Sequence, residues 1–476
     1  MLLKSMYSKT QILKGFQPSQ SLFDFALFGF SFFDFALLLV VSLLFSSLLT
    51  EDASAAVPQS VADQLLTELT PLGAVKRGNE DGSIPQWRND PQENADNLKR
   101  LMEESPLFVI DHGNYDQYLE WLSPGTVALF TRYPESFSIP VYPTYRTAKL
   151  PEWLYQNAIR NALEARINED GTNVDFARPG IPFPIPQSGE EAIWNHILRW
   201  KGLFFKLDTI EAVVDQNGKY SIIDNTLEVY SIYHDQQVQR NQDDWKYVYY
   251  LSYINAPASL AGGAYLSYES LKPMARPRQS WMYMSGQRRM RRSPVMGYDA
   301  PTFTSDGLRM MDEIDVFNGA LDRYDWKLVG RKEMFVPYNN DRLQKTISDD
   351  EKVLTVHHIA PEFTRYEKHR VWVIEANLKE GSEHVYKRRT FYLDEDTWSI
   401  LMVDIYNEED QLWRVTKRYA SYYEDVPVML TALDAFYDLQ KKSYYIQAFP
   451  DGYNHSYEAP KSGYFSPNIV RQRLHR

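Results

Sequence analysis

Few side chains in this sequence are spaced for catalysis, and the densest candidate group is acidic. Within the segment MMDEIDVFNGALDRYDW the carboxylates are Asp312, Glu313, Asp315, Asp322 and Asp325. Two carboxylates can serve as acid and base in the cleavage of a polymer, and Asp312 and Asp315 are the candidates for that role. The segment lacks the ligand spacing of an EF-hand calcium loop. Acids on a solvated loop or helix face are the simpler interpretation.

The histidines do not predict a metal site. His357 and His358 are adjacent, so on an extended backbone their rings point to opposite sides and make a poor chelate. For His196, on a predicted helix, we favour a structural histidine hydrogen-bonded to the backbone. The sequence also lacks a nucleophile elbow, a P-loop, a dinucleotide fingerprint and an H-E-x-x-H motif. We therefore expect a protein that is not an enzyme and that holds neither a metal nor a cofactor.

A run of basic residues precedes the acidic segment. Its arginines are Arg276, Arg278, Arg288, Arg289, Arg291 and Arg292. The favoured interpretation is that these arginines pair with the nearby acids inside the fold. The alternative is that Arg288, Arg289, Arg291 and Arg292 form a patch that binds an anion or a partner protein.

Composition limits the classes of function. The chain has 476 residues, 44% of them hydrophobic, so it can bury a sizeable core. Its net charge of -12 argues against nucleic acid as the main partner, because phosphate binding needs clustered lysine and arginine. The absence of cysteine excludes disulfides, thiolate metal sites and a lipidated N-terminal cysteine. Tyrosine is abundant, with 33 residues, as suits extended sheets with amphipathic surfaces.

The N-terminus predicts export. Three lysines precede an apolar stretch at 35–49, and small residues at 53–56 form a signal-peptidase site. We expect a Sec-type signal peptide over residues 1–55 and a soluble, acidic mature protein in the periplasm. An uncleaved anchor over residues 25–49 is the alternative, if Asp34 is tolerated in the bilayer.

Residues 56–201 combine short helices with proline-rich extended segments. In GIPFPIPQSGEEAIWNHILRW, at 180–200, alternating prolines favour an extended backbone that leads into a helix. Ser188 and Glu191 have the spacing of a capping box for that helix. We expect this region to cover a sheet and not to fold alone, with Trp194 and Trp200 forming part of the cover.

Residues 202–453 alternate with the period of strands. The clearest run is the meander VWVIEANL, HVYKRRTFYL, WSILMVDIY and LWRVTKRYASYY between 371 and 423. Asp215–Gly218 predicts a hairpin turn earlier in the chain. Neither face of these strands is cleanly polar, so both faces of part of the sheet should be covered. The predicted fold class is α+β, mainly antiparallel β, with residues 454–476 as a C-terminal tail. Position 201/202 marks a change in composition that need not separate two structural domains.

Four segments resemble a known bacterial family. They are LTPLGAVKRGNEDGSIPQW, the proline-rich segment with its helix, DGLRMMDEIDVFNGALDRYDWKLVGRKEMFVPYN, and HRVWVIEANL with RRTFYLDEDTWSILMVDIY. They resemble the family labelled domain of unknown function thirteen twenty-nine, over about residues 69–453. The resemblance implies an exported Gram-negative protein similar to outer-membrane lipoprotein-sorting proteins, with an open antiparallel half-barrel covered by helices. It also implies associations with envelope exporters and an outer-membrane partner, but it supplies no catalytic residues.

The favoured function is a periplasmic carrier of a hydrophobic or lipid-like molecule. Burial of an acyl chain of about fifteen carbons offers on the order of 12 kcal/mol of gross transfer free energy. The candidate lining residues are Trp194, Trp200, Trp372, Ile374, Phe391, Leu393, Ile400 and Met402. Ordinary core packing is the simpler interpretation of the same residues. The alternatives are an adaptor in an envelope exporter or outer-membrane complex, and a hydrolase of envelope polymers.

Overall fold

The structure, a computed structural model, describes residues 57–239, 244–294, 297–450 and 454–474. The predicted signal peptide at 1–55 lies outside the described residues, so its cleavage stays a prediction. None of the helices among the described residues has both the length and the apolar character needed to cross a bilayer.

Eighteen strands are present in the described part of the chain. The first nine are β1 Phe108–Ile110, β2 Ile139–Val141, β3 Arg166–Ile167, β4 Val174–Asp175, β5 Phe204–Val214, β6 Ile222–Tyr230, β7 Lys246–Ala256, β8 Ala264–Ser270 and β9 Gln279–Met284. The others are β10 Arg289–Arg292, β11 Tyr324–Pro337, β12 Tyr366–Leu378, β13 Arg388–Asp394, β14 Ile400–Tyr406, β15 Leu412–Tyr423, β16 Val428–Asp438, β17 Ser443–Ala448 and β18 Asn454–Ser456.

Sixteen of these strands form one sheet, built from two antiparallel meanders. Strands β5 to β10 pair in sequence order, strands β12 to β17 do the same, and β17 pairs with β5 to join the two meanders. Strand β11 pairs with β12. Strand β2 also pairs with β12, β1 pairs with β2, and β18 pairs with β5. Among the described strands β10 and β11 each have one neighbour, so the sheet is open. The predicted α+β class with a mainly antiparallel, unclosed sheet is confirmed.

The described helices are short and come mostly from the N-terminal region. They are α1 Gln59–Ala62, α2 Pro91–Arg100, α3 Pro124–Arg132, α4 Glu152–Glu164, α5 Gly189–Leu198, α6 Asp341–Thr346, α7 Asp350–Val353 and α8 Pro467–Leu474. At the start of α5 the Ser188 hydroxyl accepts a hydrogen bond from the Glu191 N–H at 3.3 Å, as the capping box predicts. The Glu191 carboxylate accepts a hydrogen bond from the N–H of Gln187 at 2.6 Å.

Helices cover both faces of the central strands. Every residue of β14 is buried, although its side chains alternate between the two faces of the sheet. On one face Val403 packs in the same cluster as Ile193 and Ile197 of α5. On the other face the carboxylate of Asp404 accepts a hydrogen bond from Ser123, the residue before α3. The two-sided cover expected from the sequence is therefore present.

An ion pair fastens the N-terminal region to the turn between β13 and β14. The buried guanidinium of Arg146 donates to the two carboxylate oxygens of Asp396 at 2.6 and 2.8 Å, and it lies 3.5 Å from Glu395. It also donates to the carbonyl of Val75 at 2.8 Å, so one side chain holds two separate segments on the sheet. Bidentate pairing of this kind fixes geometry as well as contributing energy.

We predict that Arg146→Ala lowers the free energy of unfolding by about 3 to 5 kcal/mol, because it leaves Asp396 buried without its partner. Urea unfolding followed by circular dichroism measures this change. The matched control is Arg178→Ala, since Arg178 pairs with Glu164 at the surface with both side chains more than 40% exposed. The control should lose less than about 1 kcal/mol, and equal losses in the two variants would contradict the proposed role of Arg146.

Candidate ligand cavity

A half-open cavity lies where the two meanders meet. It has a volume of about 110 Å³ and is lined by side chains from β5 to β8 and β15 to β17, with the segment 314–318 forming one wall. Most of its surface is apolar. The principal apolar residues are Phe205, Leu207, Leu227, Val229, Val248 and Phe449. They belong to the core cluster that also contains α5, so the cavity is a gap in a packed interior.

A charged cluster forms one end of the cavity. The carboxylate of Asp315 lies 2.6 Å from Arg199, 2.9 Å from Lys201 and 2.9 Å from Arg418. Arg418 also makes a two-pronged contact with Asp434, at 2.8 and 2.9 Å. Three cationic side chains and two carboxylates make up this cluster, which therefore has a formal excess of one positive charge.

The backbone at Asp315 adopts an uncommon conformation. Asp315 and Val316 have φ angles of 58° and 68°, in the left-handed region that a β-branched residue rarely occupies. Such residues cost about 1 to 3 kcal/mol each and persist only where surrounding contacts hold them. The carbonyl of Asp315 is held at 3.0 Å by Nε2 of His196, and Val316 is buried in the core. Contacts to the side chain of Asp315 and to its main-chain carbonyl therefore both hold this segment in place.

The hydrogen bonds of His196 identify its neutral tautomer. The N–H of Ile400 donates to Nδ1 at 3.0 Å, so the ring proton is on Nε2 and is donated to the Asp315 carbonyl. Complete burial, reinforced by Arg199, holds the pKa of His196 well below its usual value. Burial alone would raise the pKa of the Asp315 carboxyl, but Arg199, Lys201 and Arg418 hold that pKa well below its usual value. The cluster thus combines an ionised carboxylate with an uncharged imidazole.

The eight lining residues predicted from the sequence occupy other parts of the core. Trp194, Trp372, Ile374, Phe391, Leu393 and Ile400 share the apolar cluster that borders the cavity, but they are not on its surface. Trp200 and Met402 pack in two other clusters. The reason is the placement of α5, which packs against β11 and β12 and fills the space above the second meander. The indole of Trp194 donates to the carbonyl of Gly171 at 2.9 Å.

The arginine run divides into paired and unpaired members. Arg278 pairs with Glu269 at 2.6 Å and donates to the carbonyl of Asn318, so it is internal, although not with the acids that we expected. The other five are exposed, and no ion pair within the described ranges engages them. One of them, Arg276, precedes β9. The remaining four lie on edge strand β10 and at the residue before it: Arg288, Arg289, Arg291 and Arg292. For these four, the favoured interpretation of internal pairing is wrong.

The acidic segment is more buried than the sequence suggested. Asp312 and Glu313 are each only 2% exposed, so their interpretation as solvated acids is wrong. Burial would raise the pKa of Asp312, but Arg389 at 2.8 Å and His384 hold that pKa at about 2. Burial and the neighbouring Asp312 raise the pKa of Glu313 to about 7. Because Asp312 and Asp315 bind different cations and both have lowered pKa values, they do not form an acid and base pair.

A second cluster brings together groups that could ligate a metal ion. Ligand-type atoms of His369, Asp394 and Asp396 lie within 4.8 Å of one another, and all three residues are buried. Both oxygens of Asp396 are already bonded to Arg146. Asp394 accepts hydrogen bonds from Tyr338 and Thr397. Ion pairing within the fold therefore explains the position of Asp396, because both of its oxygens bind the guanidinium of Arg146 and not a metal ion.

Sequence reasoning missed Lys201, Arg199, Arg418 and Asp434 as members of one cluster. They come from the end of α5, from β15 and from β16, and no local spacing connects them. The available signal was the sequence RWK at 199–201, where two cations directly follow the predicted helix. Asp315 was singled out, but for catalysis and not as the partner of cations.

We predict that His196 stays neutral, with its proton on Nε2, well below pH 6.5 in the folded protein, because burial and Arg199 lower its pKa. The unfolded chain takes up a proton on this side chain below about pH 6.5 while the folded chain does not, so this site lowers stability as the pH falls through that value. Nitrogen chemical shifts of ¹⁵N-histidine-labelled protein, folded and in urea, measure the difference. A folded-state signal that titrates near pH 6.5 would contradict the assignment.

Comparison with known proteins agrees with the resemblance seen in the sequence. Uncharacterized protein PA3922 of Pseudomonas aeruginosa is 39% identical over 446 residues, covering 91% of this chain and 98% of that protein. A crystal structure of a DUF1329 family protein from Desulfovibrio piger has a TM-score of 0.41 and 15% identity, covering 58% of this chain and 95% of that one.

A domain from Vibrio parahaemolyticus that is named for outer-membrane lipoprotein sorting has a TM-score of 0.41 and 12% identity, covering 60% of this chain and 98% of that one. The family model described as Protein of unknown function (DUF1329) matches residues 109–471. The chain therefore belongs to the family Protein of unknown function (DUF1329).

Proposed function

We propose that this protein is a carrier that holds a hydrophobic or lipid-like molecule in the cavity between its two meanders, in the periplasm of a Gram-negative cell. The observation that carries the proposal is the cavity itself, about 110 Å³ of half-open space with a mostly apolar lining. A smaller cavity of about 60 Å³, lined by Trp194 among others, lies beside it and shares Tyr247. Binding of this kind needs an apolar concave surface and no nucleophile.

The size of the cavity suits part of an alkyl chain or a small ring. Apolar cavities of about 150 Å³ take up benzene, so a space of about 110 Å³ accommodates an apolar group of several carbons. Each methylene group transferred from water contributes about 0.8 kcal/mol. Because the cavity is partly open, a longer chain can extend beyond it, with its remaining carbons along the cavity mouth.

Localisation to the periplasm rests on the leader sequence. Basic residues, an apolar stretch and a small-residue cleavage site occur in the order of a signal peptide. Deletion of residues 1–55 should abolish export. Cell fractionation of the deleted and full-length proteins measures this change.

We expect the uncharged probe N-phenyl-1-naphthylamine to bind at one saturable site with increased fluorescence. Val229→Phe places a larger side chain in the cavity and should weaken binding by about tenfold or more, which corresponds to about 1.4 kcal/mol. Titration of the probe measures the affinity, and thermal unfolding checks that the variant folds, since overpacking costs about 1 to 3 kcal/mol.

The matched control is Val329→Phe, at a position on β11 that is 52% exposed and away from the cavity. Its probe affinity should equal that of the wild type. Equal probe affinity in both variants and the wild type, or no binding to the wild type, would rule out this cavity as the site.

A second candidate function, that of an adaptor, is supported by the exposed arginines at 288–292. Three of these four cations lie on edge strand β10 and Arg288 directly precedes it, in a chain of net charge -12, so they form a local basic surface suited to an acidic partner. An edge strand also offers unpaired backbone groups to another chain.

The adaptor function predicts a stable cross-link in cells at β10. With the photo-crosslinker p-benzoylphenylalanine in place of Arg291, one stoichiometric partner should be captured, and Arg289→Glu should reduce its yield. The same crosslinker in place of Val329 serves as the control position. Native mass spectrometry completes the comparison: a partner without a bound amphiphile favours the adaptor, and an amphiphile without a partner favours the carrier.

A further inference from the structure

We propose that the ligand of the cavity is an amphiphile with an anionic head group, a carboxylate or a phosphate ester, and that Lys201 binds this group beside Asp315, where the charge of Arg418 also favours an anion. The inference rests on the proposed carrier function and adds the chemical class of the cargo. The inference depends on the charged cluster, because an apolar lining alone would bind a hydrophobic molecule without any charged group.

The first argument is the charge of the cluster. Arg199, Lys201 and Arg418 share the carboxylate of Asp315, and among the ion pairs of the described residues Asp434 neutralises one further positive charge. A monoanionic head group would balance the remaining charge. Partial burial makes this balance energetically important, because charges interact more strongly away from bulk water.

The second argument is the orientation of the cluster towards the cavity. The side chains of Lys201 and Asp315 are 20% and 24% exposed, whereas those of Arg199 and Arg418 are 2% and 3% exposed. Lys201, Asp315 and Arg418 all line the cavity, next to apolar residues such as Phe205. A chain lying along the apolar residues would therefore place its head group beside the ammonium of Lys201.

The third argument excludes a cationic head group. Besides Asp315, two carboxylates line the cavity, Glu269 and Asp434, and Glu269 is already paired with Arg278 at 2.6 Å. Asp434 is likewise engaged by both prongs of Arg418. The carboxylates at the cavity are thus matched by arginines, and the surplus charge is positive.

The fourth argument is the strained backbone that presents Asp315. Two successive residues in the left-handed region, fixed by His196 through the Asp315 carbonyl, hold the carboxylate in the midst of three cations. Strain of this kind marks sites where geometry is set in advance of binding. The carboxylate keeps the cations in place when no ligand is bound, and the surplus charge remains to attract one.

The test compares ten-carbon probes that differ only in the head group: decanoate, decyl phosphate and 1-decanol at pH 7.5. Displacement of N-phenyl-1-naphthylamine from the wild-type protein measures the affinities. We expect at least one of the two anions to bind about tenfold more tightly than 1-decanol. The better of the two distinguishes a carboxylate from a phosphate source.

Variants test the role of Lys201. Lys201→Met should remove most of the preference for the anion over 1-decanol, whereas Lys201→Arg should keep the preference. The matched control is Lys206→Met, which removes an exposed lysine from β5 and should leave all affinities unchanged.

Three outcomes would overturn the inference, and they separate it from the carrier function. Equal affinities of the anions and 1-decanol for the wild type would refute the head-group preference while leaving the carrier in place. If Lys201→Met keeps the preference for the anion, residues other than Lys201 are responsible for that preference. Failure of every probe to bind would refute the inference together with the carrier function.

Discussion

The carboxylate of Asp315 connects the parts of the fold that surround the cavity. Arg199 and Lys201 follow helix α5, Arg418 lies on strand β15, and Asp315 itself lies in the segment that precedes β11. One acidic side chain therefore ties the covering helix, the second meander and the cavity wall together. Since all three cations contact this carboxylate, its loss would affect all three elements at once. The backbone strain at 315 and 316 persists because these contacts, with His196, outweigh it.

The position of the cavity follows from incomplete cover of the sheet. Helix α5 packs against β11 and β12. The apolar residues of the second meander on that face are therefore covered and form part of the core. Beyond the helix, where β5 to β8 meet β16 and β17, the cover is the loop at 314–318. A loop of five residues covers less area than a helix of ten, and the space left beneath it is the cavity. Apolar residues of the same type thus become core or lining according to what lies above them.

The sequence predicts much of the fold and little of the site, for a physical reason. Strand alternation and turn residues are local, so the meander over 371–423, the turn at Asp215–Gly218 and the start of α5 at Ser188 were all predicted correctly. The lining of the cavity brings together residues far apart in sequence, such as Phe205 and Phe449. Strand periodicity shows which residues are buried but not which of them face empty space. The acids of 312–315 were misread because their cations come from β13, β15 and the end of α5.

The pairing of β17 with β5 has a consequence for how this chain reaches its folded state. Residues 210–214 hydrogen-bond with residues 444–448, so the sheet is continuous only after almost the entire polypeptide is available. Contacts between such distant positions make folding slow and leave apolar strand edges uncovered for longer. Until the last strands arrive, the first meander has an unprotected side at β5. A chain with this topology is therefore most prone to aggregate before its C-terminal strands have joined the sheet.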